Sequence, residues 1–600
     1  MCGISGMLGS ADAETALAMA ACISHRGPDG HGGFYDELEN GSVAFGHARL
    51  SIVDLEGSPQ PIGSDHGAVL VQNGEIYNQS ELRSRCNTYP WRTSGDSETI
   101  LAMHRQGTSA DGAPRDNPAD DHAEWVSALD GMWGFAIWDS RRRELLLCRD
   151  SMGVKPLMRT LLPDGTLLFA SEVKAFHAHP EFYPRPDVDA LVVRLAYEYP
   201  LDMTTLFRDV TQVAPGTVES WSLDEQGRAV LNGVCRYSRT IVSPEGRWDP
   251  SVQARILLDS FREGLEARMM SDVPIGIVLS GGLDSSLVAA LAREVSQSSG
   301  KSVPECWTVA SSEDNPDYVA SVMVAQHHDL AHHAKIIEEE AFWKGLPRFV
   351  CSGEDLDITV LFWQSLFEEM TKRVRVGLCG QGADELHAGY ARYRDLDGHS
   401  GLVSRRLSLA EGFDPNRLSA GPGEPWSDNE IHPKSHYKGL RTALQFELER
   451  GQLSNFQLRL ADRHSMAHGM EARVPFLSSQ HRAESNRLPM SWKLSADTEK
   501  LALREAAALT DLPESTVRRP KLPAGTATAP DLVSSLIEEL TPHAMEWAKE
   551  YGRLGQQLAE QPDMAIGMRL FHSIHLTGDP RSRASKPMMD LLEDVSEWPG

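Results

Sequence analysis

The 600-residue chain has no Cys-x-x-Cys pair, no apolar run long enough to cross a bilayer and no excess of basic residues. Each absence excludes a class of protein. Its eight cysteines are scattered singly, at 2, 22, 86, 148, 235, 306, 351 and 379. That argues against a disulfide framework or a zinc ribbon and fits a reducing cytoplasm. The N-terminus lacks a charged-then-apolar leader pattern, so neither a membrane partner nor secretion is expected. With a formal net charge of −27, the chain offers no basic face to nucleic-acid phosphates. What remains is a soluble globular composition, 41% hydrophobic and 24% charged. At this length one core does not suffice, and roughly two to four domains are expected.

The chain is organised around Ser280-Gly281-Gly282-Leu283-Asp284-Ser285-Ser286. An apolar run, Ile275 to Leu279, precedes it and a helical pattern from Leu287 follows. A short apolar run bounded by turn residues predicts a buried parallel strand. Two glycines let the backbone turn sharply, and the helix start adds a positive dipole end, so the loop is suited to phosphate. The Gly-Lys-Ser/Thr ending of a Walker loop is missing. Asp284 is repelled by phosphate unless a metal lies between them, which points to Mg²⁺ bridging pyrophosphate. A plain glycine turn capping a helix is the alternative.

At the other end stand Met1-Cys2-Gly3-Ile4. Trimming of Met1 would give Cys2 a free α-amine with a pKa of about 8, placing nucleophile and base in one residue. Downstream come His25-Arg26-Gly27-Pro28-Asp29-Gly30, Arg49-Leu50-Ser51-Ile52-Val53-Asp54, Asn73-Gly74-Glu75-Ile76-Tyr77-Asn78 and Ser94-Gly95-Asp96. In this order the motifs resemble the N-terminal-cysteine glutaminase domain of class II glutamine amidotransferases. The later segments resemble the glutamine-hydrolysing asparagine synthetases.

The resemblance implies that Cys2 attacks the glutamine side-chain amide, while the Asn73 side chain and the Gly74 N–H stabilise the oxyanion. Arg49 would hold the α-carboxylate as a fork, and Glu75 and Asp96 the α-ammonium. Taken singly these residues have plainer uses: Asn73-Gly74 as a hairpin turn, Arg49 in a surface ion pair, Asp96 as a cap for the helix near Glu98. The fold implied is an αββα N-terminal nucleophile hydrolase sandwich followed by an α/β domain with a parallel sheet. Cys306-Trp307-Thr308-Val309 and Val374 to Cys379 read as two further parallel strands, the second feeding Gly380-Gln381-Gly382-Ala383-Asp384-Glu385. Strand ends carrying glycines and a carboxylate are where such sheets place ligands. The resemblance assigns ATP to Leu279, Ser280, Gly281, Gly282, Asp284, Ser285, Val309, Cys379 and Gly380. It assigns Mg²⁺ to Asp284 and Asp384, and a catalytic role to Lys500 in Glu499-Lys500-Leu501-Ala502-Leu503-Arg504. Alone, Lys500 would be a solvated helical lysine and Asp384 a helix cap.

The implied reaction is ATP-driven. An acceptor carboxylate becomes an acyl-adenylate with loss of pyrophosphate, and ammonia from glutamine, passed internally, converts it to an amide and AMP. The acceptor region, Gln381 and Glu385, departs from the family's pattern. Gln381 replaces a glutamate, Ser478 an aspartate, and Phe362 stands where some members carry an arginine. These changes favour a larger or less charged acceptor than aspartate, as in specialised-metabolite amidation, and leave aspartate open. The expected domains are a glutaminase over 1–215, connecting strands over 216–250, an ATP pyrophosphatase domain over 251–530 and a C-terminal extension over 531–600, with a polar insertion at 107–121. Family members often dimerise, which implies a homodimer. A ring-closing relative of the β-lactam synthetases is disfavoured by the intact Cys2, Arg49, Asn73 and Asp96. A stand-alone glutaminase is disfavoured by the complete ATP loop. A silent scaffold would be expected to have lost one of Cys2, Asp284, Asp384 or Lys500.

Overall fold

The structure, a computed structural model, describes residues 2–108, 117–414, 432–522 and 530–600. The insertion expected at 107–121 therefore lies partly outside the described residues. Two compact units emerge. One comprises Met1–Asp187 and Asp202–Thr240; the other takes Val188–Leu201 and the described residues beyond Ile241.

The first unit is built from two six-stranded antiparallel sheets. One contains β1 (Cys2–Gly9), β2 (Gly30–Leu38), β3 (Gly41–Arg49), β8 (Met158–Leu161), β9 (Leu167–Ala170) and β10 (Val210–Gln212), in the order β10-β8-β9-β1-β3-β2. The other contains β4 (Ile62–Gly63), β5 (Ala68–Ile76), β6 (Gly131–Asp139), β7 (Glu144–Arg149), β11 (Thr217–Leu223) and β12 (Ala229–Arg236), in the order β12-β11-β7-β6-β5-β4. Strand residues alternate faces, so each sheet can bury both. Ile4, Leu8, Val43 and Phe45 from one sheet meet Val71, Ala136, Trp138 and Leu147 from the other. The second sheet turns Leu70, Phe135 and Ile137 the other way, onto Ile100, Leu101 and Trp125 of the covering helices. The helix Ala13–Cys22 covers the first sheet. It lies so close that a Cβ on Gly46 would sit 2.2 Å from the Ala16 carbonyl oxygen. This is the expected αββα sandwich.

β11 and β12 fall in the segment expected to connect the two domains. Residues 217–236, read as connecting strands, are integral to the second sheet, and the unit runs to Thr240.

The second unit holds a five-stranded parallel sheet of β13 (Ile275–Val278), β14 (Glu305–Ala310), β15 (His332–Ile336), β16 (Val376–Leu378) and β17 (Glu471–Arg473), ordered β15-β14-β13-β16-β17. The central three are the strands the sequence predicts. β17 is polar yet fully buried, because Glu471 and Arg473 pair with each other. In the segment expected as a C-terminal extension, the helix Pro562–Phe571 packs against Ile358–Val360 and Glu339–Gly353. A Cβ on Gly567 would lie 1.7 Å from the Leu356 carbonyl oxygen, so only glycine permits that approach.

Val188–Leu201 joins this unit through a buried charge cluster. Arg194 Nη2 lies 2.8 Å from Asp355 Oδ1, and Arg459 Nη2 lies 2.6 Å from Asp355 Oδ2. Burial alone would raise the Asp355 carboxyl, but the two guanidiniums outweigh it and hold it down at about 2. Asp355→Ala is expected to destabilise the unit by about 3–5 kcal/mol, measured by urea unfolding, because two buried cations lose their partner. Since the folded pKa is the lower one, this stabilisation is complete above the ordinary value of 3.8 and is lost as pH falls toward about 2. Acid titration of Asp355→Asn should lack that step.

Candidate active sites

In the first unit, Cys2 opens β1 opposite Arg49 on β3 and is 6% exposed. Its backbone N–H donates to Asn73 Oδ1 at 3.2 Å. Asn73 and Gly74 lie within β5, opposite Gly134 and Trp133, so they form no hairpin tip. Gly74 has φ +153°, and a Cβ there would fall 2.1 Å from the Met132 carbonyl oxygen. The fully buried Asn73 Nδ2 has no hydrogen-bond partner among the described residues. Arg49 is half-buried. It donates from Nη1 to the Leu55 carbonyl at 2.9 Å and from Nη2 to the Asp54 carbonyl at 2.7 Å, which fixes the guanidinium through main-chain oxygens. Asp54 Oδ2 in turn accepts from Ser94 and Gly95 N–H, tying the Asp96 loop to the Arg49 loop. Asp96 is buried, and its Oδ2 accepts the Ile76 N–H at 2.8 Å. Its carboxylate therefore reaches the end of β5. Glu75 is buried, and its charge acts on Cys2.

One residue quoted in the motifs but given no role, Arg26, completes this end. Arg26, fully buried, donates from Nε to the Cys2 carbonyl at 3.2 Å and from Nη1 to Glu172 Oε1 at 2.6 Å. Glu172 also meets Lys174 and His25. Arg26 thus holds the Cys2 main chain on a buried carboxylate. A cation beside an invisible partner is hard to read from sequence, since Glu172 lies 146 residues away.

In the second unit, the turn after β13 is glycine-dependent. Gly281 has φ +70°, and a Cβ there would lie 2.4 Å from the Ala320 carbonyl carbon. Ser280 N–H donates to Ser285 Oγ at 3.1 Å, closing the loop on the first turn of the helix Leu283–Ser298. Asp284 is in that turn, and Asp384 in the first turn of Ala383–His387 after β16. Between them sits Lys500, 2% exposed, with Nζ 2.5 Å from Asp284 Oδ2 and 2.6 Å from Asp384 Oδ1. Lys521 Nζ is 2.9 Å from Asp384 Oδ2. Burial opposes the Asp384 charge, but Lys500 and Lys521 outweigh it and hold the carboxyl far below the usual range. A Cβ on Gly389 would strike both Asp384 Oδ1, at 1.9 Å, and Lys500 Cε, at 2.1 Å. Lys500 itself has φ +57°, a conformation strained for lysine and fixed here by its N–H bond to the Lys493 carbonyl.

These groups line a cavity of about 590 Å³, together with Leu279, Ser280, Gly282, Ser285, Val309, Cys379, Gly380 and Gln381. Gly281 does not line it; it packs behind, on Ala320 and Ser321. Glu385 also departs from expectation. It is 1% exposed and outside the cavity lining, accepts the Tyr390 hydroxyl at 2.6 Å, and is pushed up to about 7 by burial and the Asp384 charge. One step along a helix turns a side chain by about 100°, which carries Glu385 away from the face Asp384 presents. Gln381 does reach the cavity, and its Nε2 donates to Gln457 Oε1 at 3.2 Å. Lys521 and the tail residues Asp563 and Met564 line it too, without having been expected there. The donor chemistry suits Mg²⁺: two carboxylates, with Asp284 Oδ1 buried and lacking a hydrogen-bond partner among the described residues. No cluster of three or more potential ligands occurs among the described residues. Two carboxylates match a cation that draws its other ligands from phosphate and water.

The model for a glutamine amidotransferase domain matches residues 1–230, and that for asparagine synthase matches residues 257–561. Asparagine synthetase (glutamine-hydrolyzing) 1 of Bacillus subtilis is 28% identical over 580 residues, spanning 87% of this chain and 86% of that one. The Rattus norvegicus asparagine synthetase (glutamine-hydrolyzing) is 28% identical over 549 residues, spanning 87% and 83%. A solved B. subtilis glutamine phosphoribosylpyrophosphate amidotransferase is similar at a TM-score of 0.30 and 16% identity, over 56% of this chain and 81% of that one, too distant to carry an argument. The antiparallel sandwich led by cysteine, followed by the parallel-sheet unit, defines a ligase that uses glutamine. The chain belongs to the asparagine synthase family, with a glutamine amidotransferase domain in front.

The Cys2 thiol is pushed above its ordinary value of 9.0, burial outweighing the help from the Leu50 N–H and Arg49. Carboxamidomethylation of Cys2, followed by mass spectrometry, should therefore climb only above that pH. Arg49→Ala, which removes a cation that favours the thiolate, should move the midpoint higher still.

Proposed function

We propose that the chain is a glutamine-dependent, ATP-driven amidotransferase that converts a carboxylate to an amide. Cys2, freed of Met1, is the nucleophile, and its α-amine takes the thiol proton, which a thiol pushed up by burial would otherwise keep. Attack on the glutamine side-chain carbonyl gives a tetrahedral oxyanion facing the spare Asn73 Nδ2 and the Gly74 N–H. Collapse expels ammonia and leaves a thioester that water opens to glutamate. Arg49 grips the α-carboxylate, with Glu75 and Asp96 as anionic partners for the α-ammonium.

In the second unit the Ser280–Ser286 loop cradles the phosphates of ATP, and Val309 borders the adenine. Asp284 and Asp384 would hold Mg²⁺, which when bound neutralises the pyrophosphate. The acceptor carboxylate oxygen attacks the α-phosphorus, pyrophosphate leaves, and ammonia displaces AMP from the acyl-adenylate. Lys500 swings between carboxylates and the charge that builds on the phosphate. The observation that carries this reading is the Lys500 ammonium shared by two carboxylates from separate strand ends, in one cavity. Relatives are named for asparagine synthesis. For this chain the Phe362 and Trp363 wall and Gln381 in the lining favour an acceptor larger or less anionic than aspartate.

Cys2→Ala is expected to abolish glutamine-dependent amide formation and to be rescued by ammonium. Asn73→Ala should lower the glutaminase kcat about 10²–10³-fold. Lys500→Met, or chelation of divalent cations, should stop acceptor-dependent pyrophosphate release while glutamate release persists. Loss of ammonium-driven turnover in Cys2→Ala would contradict the division of labour.

A further inference from the structure

Lys493 is a buried cation that the proposed reaction leaves unused. It ends the helix Met490–Lys493 and is 1% exposed. Its Nζ donates to the Leu386 carbonyl, and it makes no ion pair among the described residues. The neighbouring imidazoles of His387 and His481 share a hydrogen bond at 3.0 Å between their Nε2 atoms. Burial holds both rings neutral, so they bring no negative charge. With no carboxylate to offset it, burial also pulls the Lys493 ammonium down to about 7. A cation of this kind opposes folding, and an apolar side chain of like length would sit there more favourably.

Its two contacts explain why it is there. Leu386 belongs to the five-residue helix Ala383–His387, whose first turn carries Asp384. A helix that short does not support itself, and the carbonyls at its end need donors from outside. The Lys493 ammonium is such a donor. The Lys493 carbonyl, for its part, accepts the Lys500 N–H at 2.6 Å. That bond closes a hairpin in which Leu494 bridges Glu499 and the Ser495 N–H donates to the Thr498 carbonyl. It also fixes Lys500 at its φ of +57°. A ring of contacts results. The Lys493 side chain holds the Asp384 helix, its main chain holds Lys500, and the Lys500 ammonium returns to Asp384 Oδ1 at 2.6 Å. The main-chain link survives any substitution at 493; the link to the Asp384 helix depends on the side chain.

We propose that Lys493 is a positioning residue, which keeps the Asp384 helix in register with the Lys500 turn so that the Lys500 ammonium is aimed at Asp384 and at the phosphate charge it serves. The phosphate part rests on the ligase reading above; the register does not. Lys493 is then retained against stability, because the site requires two separate segments to meet at one ammonium.

Lys493→Met in the full chain, which keeps the stem and removes the donor and the charge, tests it by hydrogen–deuterium exchange read by mass spectrometry. Peptides covering Ala383–His387 and 494–500 are expected to exchange faster than in the wild type, while the urea midpoint holds or rises. A role in the fold alone gives a lower midpoint and faster exchange throughout the second unit. With ATP, Mg²⁺, an accepted acid and ammonium, the kcat for pyrophosphate release should fall about 10- to 100-fold. The KM for ATP should stay near that of the wild type, and glutamate release should be unchanged. Lys493→Leu gives the same comparison should the methionine variant fold poorly. Unchanged exchange in the two peptides, a lowered midpoint in both variants, or an unchanged kcat would overturn the proposal. Faster exchange confined to those peptides, in a chain whose wild type releases pyrophosphate with no acid, would remove the ligase reading and leave the register standing. Wild-type release that Lys493→Met does not alter would do the reverse.

Discussion

The second unit depends on one ammonium. Lys500 bridges Asp284 and Asp384, which arrive on the ends of adjacent parallel strands, β13 and β16. Two carboxylates brought this close repel each other, and burial magnifies the repulsion. The lysine makes their approach tolerable, and Lys521 adds a second cation on the Asp384 side. Much of the local backbone follows from this demand. Gly389 lacks a side chain because Asp384 and Lys500 occupy its space, and Lys500 adopts a left-handed conformation to point its ammonium inward. On the proposed reading, an incoming polyphosphate with its cation would take over the carboxylates and free the lysine for new negative charge.

The first unit uses a different constraint. Cys2, the residue proposed as nucleophile, opens β1. Bracing comes from the side: Arg26 on the Cys2 carbonyl, Asn73 on the Cys2 N–H, and Gly74 close against β6. The Asn73 amide splits its duties, with Oδ1 holding Cys2 and Nδ2 left over. A buried donor without a partner among the described residues is destabilising by about 1–3 kcal/mol, which is consistent with the oxyanion role proposed for it.

How far the sequence disclosed this depended on whether the physics was local. β13, β14 and β16 were legible because buried central strands must be apolar. β17 was not, since an internal Glu471–Arg473 pair lets a polar tripeptide be buried. Cys2, Arg49, Asn73 and Gly74 stand out in the sequence as an ordered motif; in the structure Cys2 begins β1 opposite Arg49, the last residue of β3, and its N–H bonds to Asn73 within β5. Glu385 was misplaced because adjacency in sequence on a helix is not adjacency on a face. The contribution of β11 and β12 to the sheet, the role of Arg26, and the presence of Asp563 in the cavity were out of reach. Each rests on a contact across a long sequence separation that no local pattern encodes.

The account claims that one chain couples glutamine hydrolysis to adenylating ATP cleavage. The most direct measurement is product stoichiometry during turnover with glutamine, ATP, Mg²⁺ and an accepted carboxylic acid, with phosphorus NMR for the nucleotide products and an amino-acid assay for glutamate. The account predicts AMP and pyrophosphate in equal amounts, with one glutamate for each amide formed. ADP and orthophosphate in their place would contradict it, as would amide formation without AMP.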